Sequence, residues 1–333
     1  MPQIYSRIIG TGSALPERST TNQALADELA LRNIETSDEW IRTRTGIEKR
    51  YLAERGLTTT QLAERAAKSA LWDAGVDPSE IDLIIVATTT PDMIFPSTAC
   101  QLQKLLGCAK GAAFDLQAVC AGFIYALTNA DALIKTGLYK KAIVVGVDIM
   151  SRIVDWDDRS TCVLFGDGAG AVVLEASNEP GLLAARLSAD GTLDEKVLGC
   201  NAFVNGGEIH GDPFVRMDGQ HVFRMAVSSM SESAKAVLED AGLSVENIDL
   251  YVPHQANLRI MQKVAQKIGI PEEKMIVTVN RHGNTSAASV PLALDNAARH
   301  NEIHQGDVVL MQAVGAGMAW GSILVKWTKE NNK

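Results

Sequence analysis

Cys120 is the first candidate for chemistry, because it lies in the small-residue stretch AVCAGF just where a helical pattern begins. Apolar residues then recur at helical spacing: Phe123, Ile124, Leu127, Ala130 and Ile134. Exposed N–H groups at a helix N-terminus favour an anion, so we expect this thiol to ionise easily and act as a nucleophile. Ala121 and Gly122 leave room for an incoming carbonyl group. The alternative is a buried structural cysteine, which is the commoner fate of this residue type.

Two histidines compete for a catalytic role. His254, in VPHQAN, follows a predicted strand and precedes a helical pattern, and α/β proteins often place functional side chains beyond the carboxyl end of a strand. His282 lies two residues before Asn284 in RHGNTSAASVP. Either histidine could instead be a surface or hydrogen-bonded structural residue.

Asn284 and the glycine-rich VGAGMAWG are further candidates. Asn284 follows a glycine near the start of a predicted helix, where capping the helix is the frequent role of asparagine. Gly315 and Gly317 could direct backbone amides at a bound oxygen, although such turns are usually only structural. FGDGAG lacks the lysine and spacing of a phosphate-binding loop, and we interpret it as structural.

The elements that carry these residues predict an α/β sandwich. Short β-branched runs at 82–90, 141–148 and 308–317 alternate with longer helical patterns. DAGVDPSEIDLIIVAT, from Asp73, is echoed by DAGLSVENIDLYVPHQ from Asp240, 167 residues later. This offset pairs the Cys120 helix with 284–294, which indicates a duplicated domain. Turn-forming residues at 178–181 predict a boundary between two halves, 1–178 and 179–333. The segment 193–213 is rich in Gly and Asn and predicts a long surface loop.

Composition excludes several classes of protein. The 333 residues are 46% hydrophobic and 21% charged, which suits one large domain or two closely packed ones. No apolar run approaches the roughly 20 residues of a membrane span, and the N-terminus lacks a signal peptide pattern, so we expect a cytoplasmic protein with no membrane partner. A net charge of −9 without a basic block argues against nucleic acid binding. The spacing of the five cysteines fits neither a disulfide framework nor a metal site: Cys100, Cys108, Cys120, Cys162 and Cys200.

The motifs together resemble the thiolase-like condensing enzymes, most closely the β-ketoacyl-[acyl carrier protein] synthase III family. The matching segments run through the whole chain: IIGTGSALPE, TSDEWIRTRTGI, FPSTACQLQKLLG, AVCAGF, FGDGAGAVVL, VPHQANLRI, RHGNTSAASVP and WGSILVKW. The resemblance implies a duplicated five-layer α-β-α-β-α sandwich, a homodimer, and a catalytic triad of Cys120, His254 and Asn284. It therefore favours His254 over His282.

The resemblance also implies how substrates are bound. A coenzyme A tunnel would use Trp40, Arg44, Thr45, Arg159, Phe223 and Asn257, with the adenine held between Trp40 and Arg159. Phe95 would reach the acyl pocket from the dimer partner and suggests a short primer. The family's glycine triplet reads Gly315-Ala316-Gly317 here, and Val314 replaces an aromatic residue. We keep the Ala316 amide as the second oxyanion donor beside that of Cys120, and expect an altered pocket width.

The activity implied is a decarboxylating Claisen condensation of acetyl-CoA with malonyl-acyl carrier protein, without a metal or redox cofactor. An acidic carrier protein needs cations near the tunnel mouth. Arg259, Lys263 and Lys267 recur at four-residue intervals and share a helix face, which Arg224 could join; the alternative is an ordinary solvated face.

The sequence bears on three alternative functions, of which it argues against the last two. A related enzyme could use a branched or longer primer, or serve a secondary metabolite. A degradative thiolase would need a second active cysteine, which AVGAGMAWG lacks. A catalytically silent scaffold would not need the three triad residues.

Overall fold

The computed structural model describes residues 3–108, 110–192 and 197–329. Its strands are β1 (Tyr5–Ala14), β2 (Arg18–Thr21), β3 (Lys49–Leu52), β4 (Leu83–Ala87), β5 (Ala112–Leu116), β6 (Lys141–Asp148), β7 (Gly168–Ser177), β8 (Leu182–Ala189), β9 (Leu198–Gly199), β10 (Phe203–Asn205), β11 (Glu208–His210), β12 (Arg216–Met217), β13 (Leu250–Pro253), β14 (Val308–Gly315) and β15 (Ala319–Lys326). Its helices are α1 (Asn22–Ala30), α2 (Asp38–Thr45), α3 (Thr59–Ala74), α4 (Thr98–Leu106), α5 (Gly122–Lys135), α6 (Arg159–Cys162), α7 (Gly219–Ala241), α8 (Leu258–Ile268), α9 (Val279–His282) and α10 (Ser289–Arg299). No helix in these ranges is long and apolar enough to cross a membrane.

Two mixed sheets form the frame of the molecule. The first has the strand order β1-β7-β6-β4-β5 and the second has the order β13-β14-β15-β8. Within them β4 runs parallel to β5 and β6, and β13 runs parallel to β14. The carboxyl ends of these parallel strands therefore meet at one edge of each sheet, where α/β proteins commonly place their binding residues.

Five layers follow from how the helices pack on the sheets. α3 and α4 cover the outer face of the first sheet, α5 and α10 lie between the sheets, and α7 covers the outer face of the second with α8 beside it. Because α5 contacts both sheets, it is apolar around most of its circumference and mostly buried. The predicted α-β-α-β-α sandwich is confirmed.

The duplication is visible in matched elements. α3 ends at Ala74 and α7 ends at Ala241, each followed by a left-handed glycine, and β6 and β14 are offset by the same 167 residues at both ends. A 3-10 turn, Val119–Ala121, precedes α5, and an equivalent one, Ser286–Ala288, precedes α10. We call these the Cys120 turn and the Ser286 turn.

The predicted surface loop is described only in part, because 193–196 lie outside the described residues. The described part contains the hairpin of β10 and β11, and this hairpin is exposed.

Candidate active site

Cys120 is the central residue of its turn, in the connection between the end of β5 at Leu116 and the start of α5 at Gly122. Its neighbour Val119 has φ 48°, and the matching Ser286 has φ 51°. A positive φ is costly for a side chain that is not glycine, above all for a β-branched one, and such strain clusters at functional sites. The two strained turns lie against each other, and the Cys120 Sγ lies 3.5 Å from the Ser286 Oγ.

Burial dominates the ionisation of the thiol. Cys120 is 5% exposed, and burial raises its pKa to about 12. The hydrogen bond with Ser286 lowers this pKa, while the negative charge of Asp148 raises it. Burial therefore opposes the easy ionisation that we expected of a thiol at a helix N-terminus, because it removes water from the thiolate.

His254 lies immediately after β13 and is fully enclosed. Its backbone N–H donates to the Gln312 carbonyl at 2.7 Å, and its Nδ1 lies 2.5 Å from the Ser289 Oγ. Burial lowers the pKa of His254 to about 4, so the imidazole is neutral at physiological pH. Because Nδ1 is engaged, Nε2 is the ring nitrogen left for a ligand.

Asn284 is held through both its backbone and its side chain. Its N–H donates to Leu164, its carbonyl accepts from Gly166, and its Oδ1 accepts from the Ser286 N–H at 2.9 Å. The helix predicted here begins only at Ser289, so Asn284 does not cap α10; its side chain instead accepts from the first N–H of the Ser286 turn. With Oδ1 occupied, the amide nitrogen is the side-chain group that can donate to a ligand.

The turn between β14 and β15 approaches the nucleophile closely. A Cβ added at Gly315 would lie 2.8 Å from the Cys120 nitrogen and 2.8 Å from the Ala118 oxygen, so only glycine fits there. Ala316 follows in the same turn and lines the same cavity as Cys120.

One cavity of about 890 Å³ joins these groups. Cys120, His254, Asn284 and Ala316 all line it, and so do five of the six predicted tunnel residues, namely Trp40, Arg44, Thr45, Phe223 and Asn257. Val314 lines it as well, together with Met230 and Met318.

In the part of the cavity lined by the predicted tunnel residues, two arginine side chains lie over the Trp40 ring. The guanidinium carbons of Arg44 and Arg159 lie 4.5 Å and 4.6 Å from the Trp40 ring centroid. Arg159 also donates to the Glu35 carbonyl. An adenine could enter between Trp40 and Arg159 only if that guanidinium moved away from the ring.

The polar side chains of two other tunnel residues already form hydrogen bonds within the protein. The Thr45 hydroxyl donates to the Ile41 carbonyl at 2.7 Å and accepts from the Ile47 N–H. The Asn257 side chain caps α8 and donates to the Arg44 carbonyl, which ties α8 to α2.

The predicted docking cations lie outside the cavity lining. Arg259, Lys263 and Lys267 are all exposed on one face of α8, opposite the buried Met261, Val264, Ala265 and Ile268. Arg224 is exposed on α7, next to the cavity residue Phe223.

Phe95 does not lie in this chain's cavity. It is 82% exposed, on the loop between β4 and α4. Other exposed apolar residues of this region are Met93, Ile94, Leu105 and Phe114, the last on β5, which is an edge strand of the first sheet.

Sequence reasoning missed Ser286, Ser289 and Asp148. Ser286 contacts the thiol, Ser289 contacts the imidazole, and Asp148 is buried beside them at the end of β6. The two serines lie in the quoted NTSAASVP motif, and the repeat offset from Val119 leads directly to Ser286. Within residues 3–108, 110–192 and 197–329, no group of three or more His, Cys, Asp or Glu is placed to hold a metal ion.

A buried thiol that shares one cavity with a neutral imidazole and a carboxamide, in a duplicated five-layer sandwich, is the arrangement of a thiolase-like condensing acyltransferase. The family model for 3-oxoacyl-[acyl-carrier-protein] synthase III matches residues 114–191. The model for the C-terminal part of the same family matches residues 238–327. The chain belongs to the 3-oxoacyl-[acyl-carrier-protein] synthase III family.

Individual relatives are similar to this chain over nearly its full length. A β-ketoacyl-[acyl-carrier-protein] synthase III of Bordetella petrii is 58% identical over 97% of this chain and 98% of its own. The crystal structure of a 3-oxoacyl-[acyl-carrier-protein] synthase III from Aquifex aeolicus is 47% identical with a TM-score of 0.90, covering 97% of this chain and 100% of that one. The corresponding enzyme from Pseudomonas aeruginosa is 40% identical with a TM-score of 0.90, covering 98% and 99%.

Proposed function

We propose that this enzyme catalyses the initiating condensation of type II fatty-acid synthesis, joining acetyl-CoA to malonyl-acyl carrier protein. The observation that supports this most is the single cavity lined by Cys120, His254 and Asn284 together with the tunnel residues around Trp40. A long tunnel ending at a nucleophile suits an acyl group carried on a phosphopantetheine arm. Both coenzyme A and acyl carrier proteins present such an arm.

The first half-reaction transfers the acetyl group to Cys120. The sulfur attacks the thioester carbonyl, and the Cys120 and Ala316 amides hold the oxyanion. The C–S bond to coenzyme A then breaks. The proton lost by the Cys120 thiol balances the one gained by the departing coenzyme A sulfur, so an acyl-enzyme and free coenzyme A result.

The second half-reaction forms the new carbon–carbon bond. Malonyl-acyl carrier protein loses carbon dioxide, and the electron pair of the broken bond forms an enolate whose oxygen accepts hydrogen bonds from His254 Nε2 and Asn284 Nδ2. The enolate carbon attacks the acetyl carbonyl, and Cys120 leaves as a thiolate, which takes one proton from solvent. Donors fixed in such a cavity each contribute on the order of 3 kcal/mol to the transition state.

The exposed cations of α8 and α7 form the docking surface for the acidic carrier protein: Arg224, Arg259, Lys263 and Lys267. Asn257 caps α8 and donates to the Arg44 carbonyl, so the α8 part of this surface is joined directly to the tunnel residue Arg44. Charges around an entrance raise the rate of productive encounter with an oppositely charged partner.

The enzyme acts as a homodimer in this proposal. The apolar residues Met93, Ile94, Phe95, Leu105 and Phe114 are exposed around the edge strand β5. Unpaired edges and apolar patches of this kind are normally covered in an assembly. Phe95 from one protomer would then close the acyl pocket of the other and favour a short primer.

We further propose a division into 1–178 and 179–333, action in the cytoplasm, and no cofactor, acyl-CoA being a substrate. The two sheets support the division, because the first uses strands up to Ser177 and the second begins at Leu182.

A primer-length series tests the function. Acyl-CoAs from acetyl to octanoyl, and branched ones, are assayed with malonyl-acyl carrier protein, and the Cys120 peptide is analysed by mass spectrometry. We expect acetyl-CoA to give the highest kcat/KM and an acetylated Cys120 peptide. Cys120→Ala should abolish both signals, while Cys100→Ala, at an exposed cysteine, should leave them unchanged.

Two results would contradict the proposal. Product formed only from longer or branched primers would favour a relative with another primer. An unmodified Cys120 peptide would indicate a catalytically silent protein.

A further inference from the structure

Arg50, on β3, is a buried cation with which no carboxylate forms an ion pair in the described part of the chain. It is 0% exposed. Its Nη1 donates to the Asn22 Oδ1 at 2.8 Å, and its Nη2 donates to the Val163 carbonyl at 2.7 Å. Burial lowers the pKa of Arg50 to about 10, so the guanidinium is still charged at neutral pH. Desolvating a charge in this way destabilises a fold, which points to a role beyond packing.

The Val163 carbonyl begins a short segment that holds the backbone of Asn284. The Asn284 N–H donates to the Leu164 carbonyl at 2.9 Å, and the Gly166 N–H donates to the Asn284 carbonyl at 2.9 Å. We call residues 163–166 the Asn284 clamp. Because both backbone hydrogen bonds of Asn284 go to this clamp, the placement of the clamp decides where the Asn284 side chain begins.

The aliphatic part of the Arg50 side chain packs against the same region. A Cβ added at Gly166 would lie 3.1 Å from the Arg50 Cβ, and one added at Gly283 would lie at the same distance. Gly166 is the last residue of the Asn284 clamp, and Gly283 directly precedes Asn284. Arg50 therefore lies close against the backbone both of the clamp and of the chain that enters Asn284.

On its other side, Arg50 is joined to the predicted coenzyme A tunnel. The Asn22 amide accepts from Arg50 through Oδ1 and donates through Nδ2 to the Asp38 Oδ1 at 2.8 Å. Asp38 is the first residue of α2, the helix that carries the cavity residues Trp40 and Arg44. Opposite charges at the two ends of this chain of hydrogen bonds strengthen it. A neutral side chain at position 50 would hold the same partners less firmly.

The amides that hold the oxyanion in the acylation step lie outside this network. The Cys120 turn is closed by its own hydrogen bond, from the Ala121 N–H to the Ala118 carbonyl, and it packs against Gly315. Both hydrogen bonds of Arg50 lead elsewhere. A change at Arg50 should therefore affect the two half-reactions unequally.

We propose that Arg50 is a positioning residue for Asn284, which acts on the condensation step by fixing the Asn284 clamp. This inference rests on the proposed role of Asn284 as a donor to the enolate. The guanidinium holds the clamp at Val163 and ties it to Asn22, so the amide nitrogen of Asn284 stays directed at the enolate oxygen. A displacement of about 1 Å in a group of this kind can slow a reaction about 100-fold.

Arg50→Met tests this role, because methionine keeps an unbranched apolar side chain but lacks both donors and the charge. Rapid-quench assays measure acetylation of Cys120, and carbon dioxide release from malonyl-acyl carrier protein measures decarboxylation. We expect decarboxylation to slow at least about tenfold. Acetylation of Cys120 should change less than about threefold, because its oxyanion is held by backbone amides. Urea unfolding of the same samples shows whether the variant is folded.

A double-mutant cycle with Asn284→Ala separates positioning from a general structural effect. In the Asn284→Ala background no side-chain amide remains for Arg50 to position, so Arg50→Met should slow decarboxylation there by less than about twofold. A general loosening of the fold would instead slow decarboxylation by the same factor in both backgrounds.

Arg299→Met is the matched control. Arg299 also connects two parts of the fold, because its Nη2 donates to the Ser69 hydroxyl at 2.7 Å and its Nε donates to the Asp295 Oδ2 at 2.8 Å. These partners belong to α3 and α10 and not to the Asn284 clamp. Both half-reactions should therefore keep their wild-type rates.

Arg50→Lys keeps the proposal testable if Arg50→Met does not fold. Lysine retains the charge but lacks the guanidinium fork, so its decarboxylation rate should lie between those of the wild type and Arg50→Met, and the same cycle with Asn284→Ala applies.

Three results would overturn the proposal: wild-type decarboxylation in Arg50→Met, equal losses in both half-reactions, or equal factors in both backgrounds of the cycle. Failure of the proposed function would appear differently, as wild-type decarboxylation by the Asn284→Ala variant itself. That result would reject the role of Asn284, and the positioning role of Arg50 with it.

Discussion

Ser289 Oγ lies 2.5 Å from His254 Nδ1, and both side chains are buried. The Gln255 N–H approaches the same oxygen at 3.4 Å, so one lone pair of Ser289 already has a donor. The hydroxyl proton is then free to point at Nδ1, which leaves the proton of the neutral imidazole on Nε2. Ser289 therefore selects the tautomer that can donate into the cavity.

Ser289→Ala should slow condensation more than acylation. Without its partner the imidazole can adopt the other tautomer, so we expect malonyl decarboxylation to fall about 10- to 100-fold. Acetylation of Cys120 should change less than about threefold, because its oxyanion is held by backbone amides. Rapid-quench assays measure the two steps. Ser233→Ala, which removes a buried serine bonded to Ser322, is the control, and equal losses in both steps would contradict the tautomer argument.

Asn284→Asp should be more damaging than Asn284→Ala. The aspartate can keep the Oδ1 contact with Ser286 but replaces the donor amide by an anion facing the enolate. We expect decarboxylation to fall at least about 100-fold in the alanine variant and further in the aspartate variant. Carbon dioxide release from malonyl-acyl carrier protein is the measurement. Activity of Asn284→Asp near the wild-type level would show that no donor is needed there.

Lowering the pH should destabilise the fold before it protonates the active site. His254 and His282 both have a pKa of about 4, which burial lowers from 6.5. The unfolded chain therefore binds more protons between pH 6.5 and 4, and the free energy of unfolding falls as the pH falls through this window. The loss is on the order of 3 kcal/mol for each histidine below pH 4.

Urea unfolding at several pH values measures this loss, and His282→Asn should reduce its slope. The kcat for condensation should show no protonation step near pH 6.5. A slope unchanged by His282→Asn, or an acidic limb centred at 6.5, would contradict the burial argument.

Trp40→Ala should weaken coenzyme A binding specifically. The Trp40 indole lines the cavity and contacts the guanidinium groups of Arg44 and Arg159. Its loss therefore removes a stacking surface and the cation–π contacts that position both arginines. We expect the KM for acetyl-CoA to rise about tenfold, with a smaller change in kcat. Trp72→Ala, at an indole that is 79% exposed on α3, should have no effect. A fall in kcat alone would show that Trp40 does not bind the primer.

Charge reversal on α8 should separate the two substrates. Arg259→Glu with Lys263→Glu should raise the KM for malonyl-acyl carrier protein at least about tenfold, and less so at high salt, because screened charges attract the carrier weakly. The KM for acetyl-CoA should change less than twofold. Arg65→Glu, at an exposed residue of α3, is the control. Equal rises in the KM values for both substrates would contradict the proposal that these residues form a docking surface.

The repeat and the layer architecture could be predicted from the sequence, and the three residues singled out as a triad do line one cavity. The offset from Asp73 to Asp240 is a direct record of duplication, and Cys120, His254 and Asn284 each lie in a distinctive motif. Motifs of this kind survive in the sequence because each is formed by neighbouring residues, whose types alone define the local turn or strand end.

Only the tertiary structure decided the electrostatics of the site. The helix N-terminus suggested an acidic thiol, yet burial between the two sheets raises the pKa of Cys120 to about 12. Asp148 and Ser286 are 138 residues apart in the sequence and lie close together because the end of β6 packs against the Ser286 turn. Desolvation and charge depend on every atom within a few ångströms, whichever part of the chain supplies it, so local patterns cannot reveal them.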